Sequence, residues 1–269
     1  MIEKNTDAQM IEETWRMFLT TGGNEAEHRN RRFFRRLPGS HRCKVCYAPF
    51  RGASSKIVQL LYKKTQSNLN PYLCNTCELF ARKHQGGVEI ELSLLFADVR
   101  GSTTIAENMR PADFHKLINR FYSVATQVLA DSGALIDKII GDQAAGMYVP
   151  GLAGQQHALR AVEAAKEILI TTGHNDIDGP WIPLGVGVHT GIAFVGSVGS
   201  ENGTSDITVL GDTANVAARL STNAGIGEIL ISEETFQRTD FSRLDQHEQR
   251  EIELKGKAKR MFVNVINSY

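Results

Sequence analysis

No apolar run in this sequence approaches the roughly 18 residues that a membrane-crossing helix requires. Neither charge is in excess: 30 Lys and Arg stand against 30 Asp and Glu, so attraction of the whole molecule to nucleic acid or anionic lipid is not indicated. There is no internal repeat and no low-complexity tract, which argues against solenoids and disordered tails. The opening MIEKNTDAQM is polar and acidic, without a basic n-region or an apolar h-region. A secretory route is therefore not expected, and the protein reads as cytoplasmic, with peripheral attachment through a partner as the other reading. Cysteine is scarce and confined: all 4 lie within the first 77 residues, and the longer C-terminal part has none.

What is present is ordinary globular chemistry, 42% hydrophobic and 22% charged over 269 residues, enough for one sizeable domain plus a smaller module. The four cysteines form two CxxC pairs, Cys43/Cys46 and Cys74/Cys77. Without an export signal, such pairs favour a metal over disulfides, and four thiolates close one tetrahedral structural Zn²⁺ site per chain. Redox dithiols or an iron–sulfur site are the competing readings, although neither flank resembles a thioredoxin turn. The expected organisation is an N-terminal helix and basic linker (1–38), a zinc-ribbon-like module (39–87) and a larger domain (88–269). In the first segment, 8–20 reads as a short amphipathic helix. Arg29–Gly39 (RNRRFFRRLPG) reads as a solvated linker whose Phe33 and Phe34 pack on the cysteine module, with an RNA or phosphate patch as the rival reading. KIVQLLYKK predicts a helix between the cysteine pairs, and Gly86-Gly87 marks a boundary.

From Ile90 onward, strands and helices alternate. Strands are predicted over 91–98, 134–140, 144–149, 184–198, 228–232, 245–254 and 260–266. Helices are predicted over 111–131, 155–171 and 212–224, the last with Asp212 as its N-cap. The βαββαβ order with extra C-terminal strands predicts an α+β sandwich of ferredoxin-like type.

The chemistry concentrates at a few positions. FADVRGST breaks off an apolar strand at Asp98, and KIIGD places Asp142 in a hairpin turn. If the strand lies beside the hairpin, the two carboxylates meet at one sheet edge. Hard oxygens with open positions beside them suit a pair of Mg²⁺ ions facing phosphate. The plainer reading is a helix cap at Asp98 and a turn residue at Asp142. In LGDTANVAARL, Asn215 and Arg219 stand four apart on one face of an otherwise apolar helix, a spacing that suits ribose orientation and charge stabilisation at a transferring phosphorus.

Together, FADVRGST, KIIGD, GVHTG, VGSVG, DITVLGDTANVAARL and ELKGKAKRMFVNV resemble the class III nucleotidyl cyclases over roughly 88–269. That resemblance implies that the 3′-hydroxyl of a nucleoside triphosphate attacks its own α-phosphate, releasing pyrophosphate and a 3′,5′-cyclic nucleotide. It implies that Asp98, Asp142 and the Val99 carbonyl hold two Mg²⁺ or Mn²⁺ ions per site. The loop with Gly101, Ser102 and Thr103 would lie under the β- and γ-phosphates. Asn215 would position the ribose, Arg219 would stabilise the transition state, and Lys255, or its neighbour Lys257, would bind terminal phosphates. The family reads the purine at positions that are Lys138 and Thr208 here. Lysine donates to adenine N1 and the threonine hydroxyl accepts from the 6-amino group, whereas guanine N1–H is left without an acceptor. ATP is therefore the expected substrate, with GTP or a pyrimidine nucleotide as the alternative. Because Lys138 and Asp142 share one hairpin, the resemblance implies a homodimer in which one subunit supplies the aspartates and the other supplies Lys138, Thr208, Asn215 and Arg219. A regulatory partner on the N-terminal module is conceivable, whereas nucleic acid is not expected. An inactive nucleotide-binding regulator on the same fold is the rival, but degenerate members lose an aspartate, the Asn or the Arg, and here all are present.

Overall fold

The computed structural model describes residues 2–39, 41–200, 203–239, 247–254 and 260–267. The chain forms two compact units. The first comprises residues 1–90, 150–152 and 193–210, and the second 91–149, 153–192 and 211–269.

In the first unit, α1 (Ile2–Thr21) extends beyond the predicted 8–20, and its Trp15 and Leu19 are fully buried. Trp15 packs edge-on against Phe80, and its Nε1 donates to the His84 carbonyl at 2.9 Å. The basic stretch is not a linker. It is the helix α2 (Glu25–Arg36), started by a capping box in which Asn24 and Glu27 satisfy each other's backbone N–H. Glu25 and Glu27 at its start and Arg35 and Arg36 at its end also suit the helix dipole. Phe34 is buried against Tyr62, as expected of a residue packing on the cysteine module, while Phe33 stays partly exposed. Helix α3 (Ala53–Tyr62) is the one KIVQLLYKK predicts, and α4 (Asn75–Lys83) opens at the second cysteine pair. Gly86 and Gly87 do not form a loop; they open strand β1 (Gly86–Val99). A Cβ at Gly87 or Gly196 would collide with the opposing backbone, so two chains cross there at glycine–glycine distance.

With β2 (Leu135–Ile140), β3 (Gln143–Tyr148), β4 (Leu184–Gly199), β5 (Ser205–Leu210), β6 (Glu228–Ser232), β7 (His247–Ile252) and β8 (Met261–Asn267), the strand order is β2-β3-β1-β4-β6-β8-β7, and β5 pairs with β4. This is the predicted mixed α+β sheet. Most of the sheet belongs to the second unit, while β5 and the ends of β1 and β4 fall in the first. Helices α6 (Pro111–Ser132) and α8 (His157–Thr171) cover one face, burying Phe121, Leu129, Val162 and Ile168 against Leu95, Tyr148, Val188, Ile229 and Ile231. Helix α9 (Asp212–Asn223) covers the other face through Val216 and Leu220 on Leu230, Val263 and Val265. The strict alternation of Ile229, Leu230 and Ile231 between the two cores is what a strand buried on both faces requires. Asp212 is not the N-cap of α9 but its first residue. Gly211 caps it without a side-chain bond, and the carboxylate sits in the first turn, where the dipole favours it. Trp181, for which the sequence suggests no role, holds the Arg120 guanidinium 4.0 Å above its ring and donates to the Thr171 carbonyl.

Candidate active site and cysteine cluster

β1 and β3 pair antiparallel with Asp98 opposite Gln143, so Asp142, one residue earlier in the turn, falls opposite Val99, one step along the ladder from Asp98. The Val99 N–H donates to the Asp142 carbonyl at 3.1 Å, which extends the pairing past both aspartates. Asp98 is nearly buried, and its carboxylate is paired with the Arg100 guanidinium. Ser102 donates its hydroxyl to the Asp142 carboxylate. Gly101 has a left-handed backbone (φ 66°) with open space around it, and it turns the chain directly into the short helix α5 (Ser102–Glu107). Two acidic oxygen donors, a glycine turn and helix-start N–H groups thus share one edge, and a cation already sits among them. Burial pushes the Arg100 pKa down, while Asp142 works in the opposite direction. The donor set fits hard divalent cations.

Arg100 was read from the sequence only as part of a loop. In the fold it also donates to the Thr222 carbonyl at 2.6 Å, in the last turn of α9. Gln143 reaches Ser221 in the same turn at 3.5 Å. The carboxylate edge is thereby tied to the helix that carries Asn215 and Arg219. Helix α9 lies close because of Gly187, where a Cβ would collide with the backbone of Ala217 and Ser221. Asn215 is exposed and Arg219 half-buried; among the described residues neither side chain has a hydrogen bond or ion pair, so both are available to a ligand. Lys138 lies in β2, with its side chain outside the described set. Thr208 is buried in β5, in register with Gly196 of β4. Lys255 and Lys257 lie outside the described residues. A cavity of about 280 Å³ is lined by His189, Asp212, Glu234, Leu254 and Arg260.

Local patterns do not reveal a buried polar chain that crosses this unit. His157 Nδ1 meets Ser93 Oγ at 2.9 Å, Ser93 meets Thr190 at 2.6 Å, and Thr190 meets Thr235 at 3.0 Å. Thr235 continues to Ser232 at 3.2 Å, and Ser232 to His189 Nδ1 at 2.7 Å. His189 is thus held as a structural histidine. Period-two and 3.6 patterns weigh apolar residues, so a chain of hydroxyls passing between elements leaves no trace in them.

In the first unit, the sulfurs of Cys43, Cys46, Cys74 and Cys77 all lie within 4.8 Å of one another, with Cys46 and Cys74 3.7 Å apart. A tetrahedral ion with ~2.3 Å bonds needs sulfurs about 3.8 Å apart, so the cluster fits one ion and leaves no room for a polynuclear centre. Backbone N–H groups of Cys74 and Cys77 point at the Cys43 and Cys74 sulfurs, at 3.3 and 3.5 Å, and Cys74 caps α4. Hydrogen bonds from Cys43 and the other two thiols hold the Cys74 pKa far below its ordinary value. Burial works against the Lys64 ammonium, yet the four nearby sulfurs carry its pKa above normal. These features favour thiolate at Cys74, the form that ligates metal, while the neighbouring sulfurs push the Cys46 and Cys77 pKa values well above the ordinary one.

Residues 88–267 match the family described as adenylate and guanylate cyclase catalytic domain. The chain belongs to that family. Among curated relatives, an adenylate cyclase of Anabaena cylindrica is 31% identical over 137 residues, 48% of this chain and 26% of that protein. An adenylate cyclase of Mycobacterium bovis is 32% identical over 172 residues, 62% of this chain and 37% of that protein. The chain thus spans well under half of either relative. Among solved structures, the guanylyl cyclase Cya2 superposes with a TM-score of 0.61 at 26% identity, covering 68% of this chain and 94% of that one. The adenylyl cyclase CyaB from P. aeruginosa gives 0.55 at 26%, covering 66% and 94%. The matches carry a cyclase fold for the C-terminal two thirds, and both base classes occur among the relatives.

Proposed function

We propose that this chain is a class III adenylate cyclase that converts ATP to 3′,5′-cyclic AMP and pyrophosphate at composite sites of a homodimer. The observation that supports this reading is the β1–β3 register, in which Asp98 pairs with Gln143 and the Val99 N–H with the Asp142 carbonyl, so both aspartates belong to the same end of the ladder. Two Mg²⁺ or Mn²⁺ ions held by Asp98, Asp142 and the Val99 carbonyl would supply charge neutralisation and a more acidic 3′-hydroxyl. The loop from Gly101 to Thr103 turns its backbone N–H groups toward the terminal phosphates. Arg219 meets the charge that develops on the α-phosphate, and Asn215 holds the ribose so that its 3′-oxygen lies in line with the departing pyrophosphate. Lys138 and Thr208 read the adenine edge, and Lys255 binds the terminal phosphates. Asn215 and Arg219 present uncommitted polar groups, which supports their use by a nucleotide bound across a subunit seam. The cysteine cluster is assigned to one structural Zn²⁺ per chain, and the thiols' need to stay reduced agrees with a cytoplasmic setting.

The test incubates purified protein with each of the four ribonucleoside triphosphates plus Mn²⁺ and identifies the products by mass spectrometry. Cyclic AMP is expected. Cyclic GMP or a cyclic pyrimidine nucleotide as the main product overturns the base assignment, and no product from any triphosphate overturns the enzymatic reading. Mixing Asp98→Ala with Arg219→Ala subunits restores activity at one site per heterodimer. A mixture that stays dead although heterodimers form rules out the shared site.

A further inference from the structure

The zero net charge hides a segregation. Residues 29–77 contain 11 of the chain's 30 Lys and Arg and none of its 30 Asp and Glu. Even with four thiolates around one dication removing two charges, this part of the first unit is strongly basic. Some of these cations are structural. Arg31 is buried with its guanidinium on the Gly22 carbonyl, Lys44 pairs with Asp206 at 2.7 Å, and Arg42 donates to the Phe34 and Tyr47 carbonyls. Arg29, Arg32, Arg36, Arg51, Lys56 and Lys63 are exposed.

Within the same segment, α3 buries Ser54 and Val58 and turns Ile57, Leu60 and Leu61 outward, one helical face at i, i+3 and i+4 spacing. These are 49%, 79% and 68% exposed, among the largest values for aliphatic residues in the chain. Lys56 precedes them, and Lys63 and Lys64 follow the helix. A contiguous aliphatic face on a surface helix marks an interaction surface rather than a core. The charge decides what covers it. A second copy would bring the same positive surface and be repelled. Nucleic acid would meet the basic side chains but leave leucines that cannot stack on bases in water. The leucines stand out from a helix, which suits a yielding apolar acceptor. An anionic bilayer offers both complements: negative headgroups for the exposed Arg and Lys side chains and acyl chains for the aliphatic tips.

We propose that the α2–α3 surface docks on anionic lipid bilayers, with Ile57, Leu60 and Leu61 entering the headgroup–acyl boundary and the surrounding Arg and Lys residues holding it there. The protein is then peripherally membrane-bound without a spanning helix.

The experiment is flotation of the full-length protein with vesicles of phosphatidylcholine alone or with about one-third phosphatidylserine. Flotation only with the anionic vesicles, weakened by high salt, is expected. Leu60→Ser/Leu61→Ser lowers the floated fraction by about tenfold at unchanged zinc content and unchanged cyclase rate in solution. Lys56→Glu/Lys63→Glu does the same, a second variant that touches no buried residue. Absence of flotation with phosphatidylserine overturns the proposal. So does flotation that ignores the leucine change, which would mean unspecific attraction to polyanions. Single-stranded RNA bound more tightly than the vesicles would overturn it in favour of nucleic acid, and loss of self-association in the serine variant would do so in favour of a contact between copies.

Discussion

Asp98 and Asp142 come to the same end of the β1–β3 ladder through a single register, and each is held by a different group, Arg100 and Ser102. Asp98→Ala or Asp142→Ala should abolish Mn²⁺-dependent cyclisation, by at least a hundredfold, with the melting temperature little changed; a variant that keeps a tenth of the activity contradicts the site. At the base edge, Lys138→Glu with Thr208→Cys should move the ratio of kcat/KM for ATP over GTP at least tenfold toward GTP, because glutamate accepts from guanine N1–H where lysine cannot. Two histidines set a pH dependence. His174 Nε2 accepts the Leu184 N–H at 3.1 Å, and Nδ1 faces the Leu169 carbonyl at 3.1 Å, so the folded imidazole is neutral. Burial pushes both His174 and His157 below the ordinary histidine pKa. As pH falls through about 6.5 the unfolded chain takes up protons that the folded chain refuses, so stability falls with acidification and is full at neutral pH. The urea midpoint should be lower at pH 5.5 than at 7.5, and His174→Gln should reduce that difference.

At the scale of elements, α9 is the helix that carries Asn215 and Arg219. Its apolar side rests on Leu230, Val263 and Val265, and it comes close to the sheet at Gly187, where any side chain meets backbone. Gly187→Ala should therefore shift α9 and cost roughly 1–3 kcal/mol, seen as a lower melting temperature. Cyclase rate should fall by a larger factor than stability alone explains, since Asn215 and Arg219 move with the helix. The predicted helix boundaries lie within three residues of the observed ones except at α1, which begins six residues before the predicted start. The clear error, the basic stretch read as a linker, has a physical cause: seven of α2's twelve residues are charged and only Ala26, Phe33 and Phe34 are apolar, too few to set up an apolar period. The Asn24–Glu27 capping box was its legible signal.

At the scale of the molecule, the four-cysteine cluster that could hold a metal ion gives the N-terminal unit its test. Four sulfurs within one ion's reach, in a segment with a small apolar core, predict that chelation under reducing conditions opens residues 39–87. Limited proteolysis followed by mass spectrometry should then find cleavage there, with the segment from Gln155 to Ile192 still protected; an unchanged digestion pattern contradicts a structural role for the ion. The charge segregation over residues 29–77 was present in the sequence and is lost in a whole-chain sum, whereas the outward turn of Leu60 and Leu61 is decided by packing.

Short-range features were determined by the sequence alone: a strand ending in Asp98, a hairpin carrying Asp142, an Asn–Arg pair four apart on a helix, two CxxC pairs and the βαββαβ order. These follow from periodicity and motif chemistry, which act within a few residues. Only the tertiary structure decided that Arg100 lies on Asp98 and tethers α9, that hydroxyls link His157 to His189, and that four sulfurs converge on one point. Such pairings join segments far apart along the chain, and their geometry depends on register and close packing, for which no local pattern carries a record.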